Sequence, residues 1–77
     1  MTITPEQCRA ARALLDWRQP QLAEASGVSA STVRDFESGK RQPIANNLAA
    51  IRTALESAGV MFIDANGNGP GVRLRDR

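Results

Sequence analysis

Residues 19–43 read QPQLAEASGVSASTVRDFESGKRQP, and this stretch decides how the chain folds. Gln19 precedes Pro20, and proline suits the first turn of a helix because its missing N–H would have no partner there. Leu22 and Ala23 supply an apolar stripe, while Ala23 and Ala25 are small enough to let another helix approach closely. Gly27 ends this helix, since glycine tolerates the left-handed backbone that follows a helix end. Ser29 can cap the next helix by accepting from its free N–H groups. There Val33 and Phe36, three residues apart, share a side that should face a core, and Ala30, Ser31, Arg34 and Asp35 look outward. Gly39-Lys40-Arg41 leads out, and Pro43 keeps the helix from continuing.

On the N-terminal side, Thr4-Pro5-Glu6-Gln7 is a well-formed helix start in which Thr4 caps and Gln7 returns a hydrogen bond to the cap residue. Cys8, Ala11, Leu14 and Leu15 trace one apolar side of a helix ending near Trp17, and Arg9 falls off that stripe as a solvated charge. Trp17 reads as a core or lid residue at the junction with the following helix. On the C-terminal side a further helix is predicted over roughly 45–58, with Leu48, Ile51 and Leu55 inward and Gly59 at its end; Asn46 or Asn47 can serve its first turn. The pattern then changes. Val60-Met61-Phe62-Ile63 is a short β-type run, 66–71 a turn-rich loop, and Val72-Arg73-Leu74-Arg75 alternates apolar and basic residues. The expected fold is therefore mainly α: four helices in one small bundle over 1–59, then a β-hairpin or strand pair over 60–77 that belongs to the same domain, with 75–77 expected to fray.

Composition excludes several classes. At 77 residues there is room for one domain with a thin core, and 42% hydrophobic residues argue for a folded chain. No apolar run approaches the roughly 20 residues that span a bilayer, and the N-terminus has no basic-then-apolar leader, so a cytoplasmic protein with no membrane partner is expected. There is no histidine, no paired nucleophile and base, and no phosphate-cradling glycine loop, so neither catalysis, a metal nor a cofactor is expected. Cys8, the lone cysteine, reads as a small buried hydrophobe in preference to a redox switch. The net charge of +2 is modest, but Arg34, Lys40 and Arg41 crowd one region.

By periodicity alone, residues 19–43 would suit an αα-hairpin in any small bundle. Their combined pattern is more specific: Gln-x-x-Leu-Ala from Gln19, then Gly27-Val28-Ser29, then Val33, Phe36, Glu37, Gly39, Lys40 and Pro43. In this the chain resembles the lambda-repressor/Cro-like (XRE) family of helix-turn-helix regulators, over about Arg12 to Leu55. The resemblance implies a recognition helix, about 30–38, lying in the major groove of double-stranded DNA with Ala30, Ser31, Arg34 and Asp35 at the base edges. Arg34 could read guanine O6 and N7; Asp35 could accept from cytosine N4 or simply orient Arg34; Ala30 or the Thr32 methyl could touch a thymine methyl. Gln19, Ser29, Thr32, Lys40 and Arg41 are the implied phosphate contacts, which set register without reading sequence. The family also implies an ion pair between Arg12 and Glu37 that braces the recognition helix, the other reading being two solvated charges.

So lightly charged a reading face needs two copies. A homodimeric repressor on an inverted repeat, nucleoid-associated when bound, is the expected function. The expected dimer interface is Val60, Met61, Phe62, Ile63, Val72 and Leu74, because a strand apolar on both faces needs cover on both. Two readings compete with it: a hairpin folded entirely onto its own helices, and an antitoxin or adaptor whose strands hold a toxin or other protein partner.

Overall fold

The computed structural model describes residues 2–75. Four helices, α1 (Pro5–Leu15), α2 (Gln19–Ser26), α3 (Ala30–Glu37) and α4 (Ala45–Ser57), precede an antiparallel hairpin of β1 (Val60–Ile63) and β2 (Gly71–Leu74). Each boundary has a local cause. Thr4 Oγ1 accepts from Gln7 N at 3.0 Å while Gln7 Oε1 accepts from Thr4 N at 2.9 Å, a reciprocal cap at the start of α1. Asp16, with φ 57, closes α1 in the left-handed region. Gly27, at φ 73, turns the chain out of α2, where a side chain would be strained. Ser29 caps α3 through its Oγ and the Thr32 N–H at 3.1 Å. The start of α4 departs from expectation: its cap residue is Ile44, with no side-chain hydrogen bond, so neither Asn46 nor Asn47 performs that role.

The core is built where the helices converge. Leu22, Val33, Phe36, Ile51, Leu55 and Val60 are fully or almost fully buried, each contributing about 1.5–3 kcal/mol relative to an exposed side chain. Trp17 packs against this core. Leu14 does not share the expected apolar side of α1: it is 39% exposed, because the inner face is taken by Cys8, Ala11 and Leu15. Ala25 likewise stays exposed, and only Ala23 of the pair packs inward.

The hairpin closes the bundle, with β2 against α1 and β1 against both α1 and α4. Its register pairs Val60 with Leu74, Met61 with Arg73, Phe62 with Val72 and Ile63 with Gly71. Directly opposed residues share a face. Val60, Phe62, Val72 and Leu74 therefore form the inner face and pack on the protein's own core, which leaves Met61 and Ile63 on the outer one. Four of the six side chains expected at a dimer interface thus point inward. The strand is apolar throughout because its inner residues complete a core that the helices leave open. Arg75, expected to fray, donates its N–H to the Gly59 carbonyl at 2.7 Å and extends the ladder; residues 76–77 lie outside the described residues.

One side chain ties the hairpin to the helices. Gln7 Nε2 donates to the carbonyls of Ile63, at 3.2 Å, and Gly71, at 3.0 Å, so the residue that caps α1 also grips the last strand pair. Gln7 is buried, and losing it strands those acceptors. Gln7→Ala should lower unfolding free energy by about 1–3 kcal/mol in urea denaturation, whereas exposed Gln21→Ala, which removes a single helix-start contact, should cost less.

Candidate nucleic-acid interface

α2, the turn at Gly27 and α3 form a helix-turn-helix whose second helix turns a polar strip to solvent. Val33, Phe36 and Glu37 are buried, whereas Ala30, Ser31 and Arg34 are exposed. Arg34 is the most prominent of these, with 65% of its side chain exposed. Its Nε lies 3.6 Å from Asp35 Oδ1, a loose contact that steers the guanidinium without consuming its donors. The Asp35 side chain is more enclosed than Arg34, and its carbonyl does a separate job. It accepts from Lys40 N at 2.9 Å, Arg41 N at 3.2 Å and Ser38 Oγ at 3.1 Å. The exit carrying Lys40 and Arg41, both exposed, is thereby folded back onto the end of α3. Gly39, at φ 79, makes that reversal possible.

At the other end of α3, Ser29 Oγ lies 2.8 Å from Thr32 Oγ1 and 3.2 Å from Ser31 Oγ. Three hydroxyls are thus gathered beside the helix N-terminus, a polar and positively polarised surface suited to a phosphate. Ser29 and Thr32 were expected there; Ser31 joins them through this cluster as well as lying on the outward face.

α3 is held by its last residue. Glu37 is 2% exposed, and both carboxylate oxygens are engaged. Arg12 donates to it twice, Nη2 to Oε1 and Nε to Oε2, each at 2.7 Å. Gln19 Nε2 donates to Oε1 at 2.9 Å, and Cys8 Sγ donates to Oε2 at 3.1 Å. Arg9 donates through Nη1 to the Glu37 carbonyl. Arg12 Nη1 also reaches the Trp17 carbonyl at 3.0 Å, securing the end of α1. The expected Arg12–Glu37 pair is therefore present, buried and bidentate.

Its setting differs from expectation in three ways. Gln19, expected on phosphate, has its amide N–H on Glu37. Arg9, read as a solvated charge, closes the end of α3. Cys8, read as a plain hydrophobe, is a buried hydrogen-bond donor. Nothing in the spacing of Cys8 or Arg9 distinguishes these roles from ordinary helix surface; only the demand that a buried carboxylate be saturated could have suggested more partners than one.

The electrostatics follow from this geometry. Burial alone would raise the Glu37 pKa, but the hydrogen bonds from Arg12, Gln19 and Cys8 outweigh it and hold the carboxyl below its ordinary value of 4.5. Burial, reinforced by the bond to Glu37, pushes the Cys8 thiol far above the usual thiol range, so it remains protonated and donates. Hydrogen bonding to Glu37 likewise raises Arg12.

A family model described as helix-turn-helix matches residues 9–57, which runs from within α1 to the end of α4. The chain belongs to this family of lambda-repressor/Cro-like (XRE) helix-turn-helix DNA-binding regulators. Comparison with curated proteins found no match. Among the described residues no helix is long and apolar enough to cross a membrane.

Because the folded Glu37 pKa lies below its unfolded value, the unfolded chain binds more protons as the medium is acidified. The stabilisation is complete above about pH 4.5 and is lost as pH falls through the depressed folded value. Thermal melts should therefore show stability declining below that pH. Glu37→Gln should be less stable at neutral pH and should show a shallower acid decline; an unchanged acid limb would show that Glu37 does not carry this linkage.

Proposed function

We propose that the protein is a sequence-specific transcriptional repressor that binds an inverted-repeat operator as a homodimer. The observation that carries the reading is the exposed strip Ala30, Ser31 and Arg34 on a helix whose opposite side is locked into the core by Glu37. A groove-reading helix must show small or hydrogen-bonding groups outward and must not rock, and α3 meets both conditions. Arg34 is the principal base reader, through a bidentate contact to guanine. Asp35 orients Arg34, the reading its 3.6 Å contact favours over direct acceptance from cytosine. Ala30 and Ser31 set the shape of the strip at the helix N-terminus.

Phosphate contacts come from both ends of α3. Lys40 and Arg41 supply charge on the side fixed by the Asp35 carbonyl, and the Ser29, Ser31 and Thr32 hydroxyls supply donors at the other. Gln19 contributes mainly by bracing Glu37, with its amide oxygen as its remaining polar atom. Five or fewer cationic contacts per protomer would give weak, salt-sensitive binding, so occupancy at physiological salt depends on two protomers. In a two-fold dimer the half-site centres lie about 34–36 Å apart, one helical turn of DNA. Binding by a neighbouring element that covers its promoter makes this a repressor, acting in the cytoplasm.

Two substitutions separate the assigned roles. Arg34→Ala should relax preference at one base pair per half-site, costing about 1–3 kcal/mol there. Lys40→Ala should weaken cognate and random DNA alike and reduce the slope of log affinity against log salt. Selection from a random DNA pool, read for wild type and both variants, checks this. A palindrome that loses information at one position only with Arg34→Ala supports the assignment. Equal losses on cognate and random DNA in that variant would remove Arg34 from base reading.

A further inference from the structure

The hairpin has two free edges, and they differ in kind. The bond from Arg75 N to the Gly59 carbonyl fixes the phase of the ladder. Gly59 and Arg75 exchange hydrogen bonds, so by the alternation of antiparallel pairs Met61–Arg73 and Ile63–Gly71 do so too. Val60, Phe62, Val72 and Leu74 then aim their main-chain N–H and C=O groups away from the hairpin, the first two along the β1 edge and the last two along the β2 edge. Among the described residues, no helix or loop hydrogen-bonds to the β1 edge.

Two-fold pairing of either edge has one register that satisfies all its outward groups. On the β1 edge, Val60 pairs with Phe62 of a second copy, and Met61 faces its own symmetry mate. On the β2 edge, Val72 pairs with Leu74 of a second copy, and Arg73 faces its own mate. The second arrangement sets two guanidinium groups directly opposite each other, which is unfavourable, and an edge charge of this kind guards a strand against pairing. β1 carries no charge at any of its four positions.

We propose that two copies of this chain pair through their β1 edges, with Met61 on the two-fold axis, to form a continuous four-stranded antiparallel sheet. This rests on the homodimer reading above and specifies its geometry. Antiparallel edge pairing sets the two-fold perpendicular to the sheet, so both helical bundles lie on one side. Since α4 packs on β1 and α1 on β2, the two α4 helices flank the axis. Their exposed side bears Ala45, Ala49, Thr53 and Ser57, small residues that leave room for close approach. The site needs this partner, because one α3 reads a half-site and the sheet fixes the separation and direction of the second.

Cysteine cross-linking with sedimentation tests the proposal on the full chain. Opposed residues in a non-hydrogen-bonded pair have Cα atoms about 4.5 Å apart, within disulfide reach. Under mild oxidation Met61→Cys should become mostly disulfide-linked dimer and Arg73→Cys should not; native Cys8 is buried and does not compete. Met61→Lys should weaken the dimer about tenfold or more, and mixing it with Met61→Glu should restore association, which a merely unfolded variant could not do. Cross-linking through Arg73→Cys with none through Met61→Cys would overturn the β1 edge while leaving the homodimer intact. A wild-type chain that sediments as a monomer at tens of micromolar would instead overturn both.

Discussion

The saturated carboxylate of Glu37 is the constraint on which the rest of the structure depends. It terminates α3, and its ligands come from α1 through Cys8 and Arg12 and from α2 through Gln19. Three helices therefore meet at one buried charge. Their apolar contacts supply most of the stability, but such contacts are non-directional and would tolerate small rotations of an eight-residue helix. A bidentate guanidinium–carboxylate pair does not tolerate them, because both donor directions are fixed. The intact pair contributes little net stability after its desolvation cost, whereas an orphaned Glu37 or Arg12 costs about 3–5 kcal/mol. The arrangement thus serves orientation more than stability, and orientation is what a reading helix requires.

A second polar clamp does for the hairpin what Glu37 does for α3. Gln7 is adjacent in sequence to Cys8, so consecutive residues of α1 grip the strands and the buried carboxylate. The hairpin and the recognition helix are consequently referred to the same rigid element. A dimer formed through the hairpin would pass a defined geometry to both copies of α3, with no flexible segment between.

Much of this architecture was legible in the sequence because its signals are local. Thr4, Gly27 and Ser29 mark helix ends by chemistry that acts within four residues, and Val33 with Phe36 declares an inner face by spacing alone. The outward strip follows by subtraction from that face. What was illegible depends on long-range closure. Gln7 looked like a complete capping residue, and its second role needs strands more than fifty residues away. Arg9 and Cys8 acquire meaning only when the end of α3 is placed over α1. Val60, Phe62, Val72 and Leu74 looked available to a partner because a sequence shows that a strand is apolar but not which neighbour covers it. Leu14 went astray for a related reason: a helical stripe is wider than the contact it makes, and its margin stays wet.

The central claim is that the Glu37 carboxylate couples α1 to the recognition helix through Arg12. A double-mutant cycle with Arg12→Ala, Glu37→Ala and the double variant, followed by denaturant unfolding, measures that coupling directly. Each single variant should lose about 3–5 kcal/mol, and the double variant should lose much less than their sum, since removing both partners leaves no orphaned charge. Additive losses within about 0.5 kcal/mol would contradict the account.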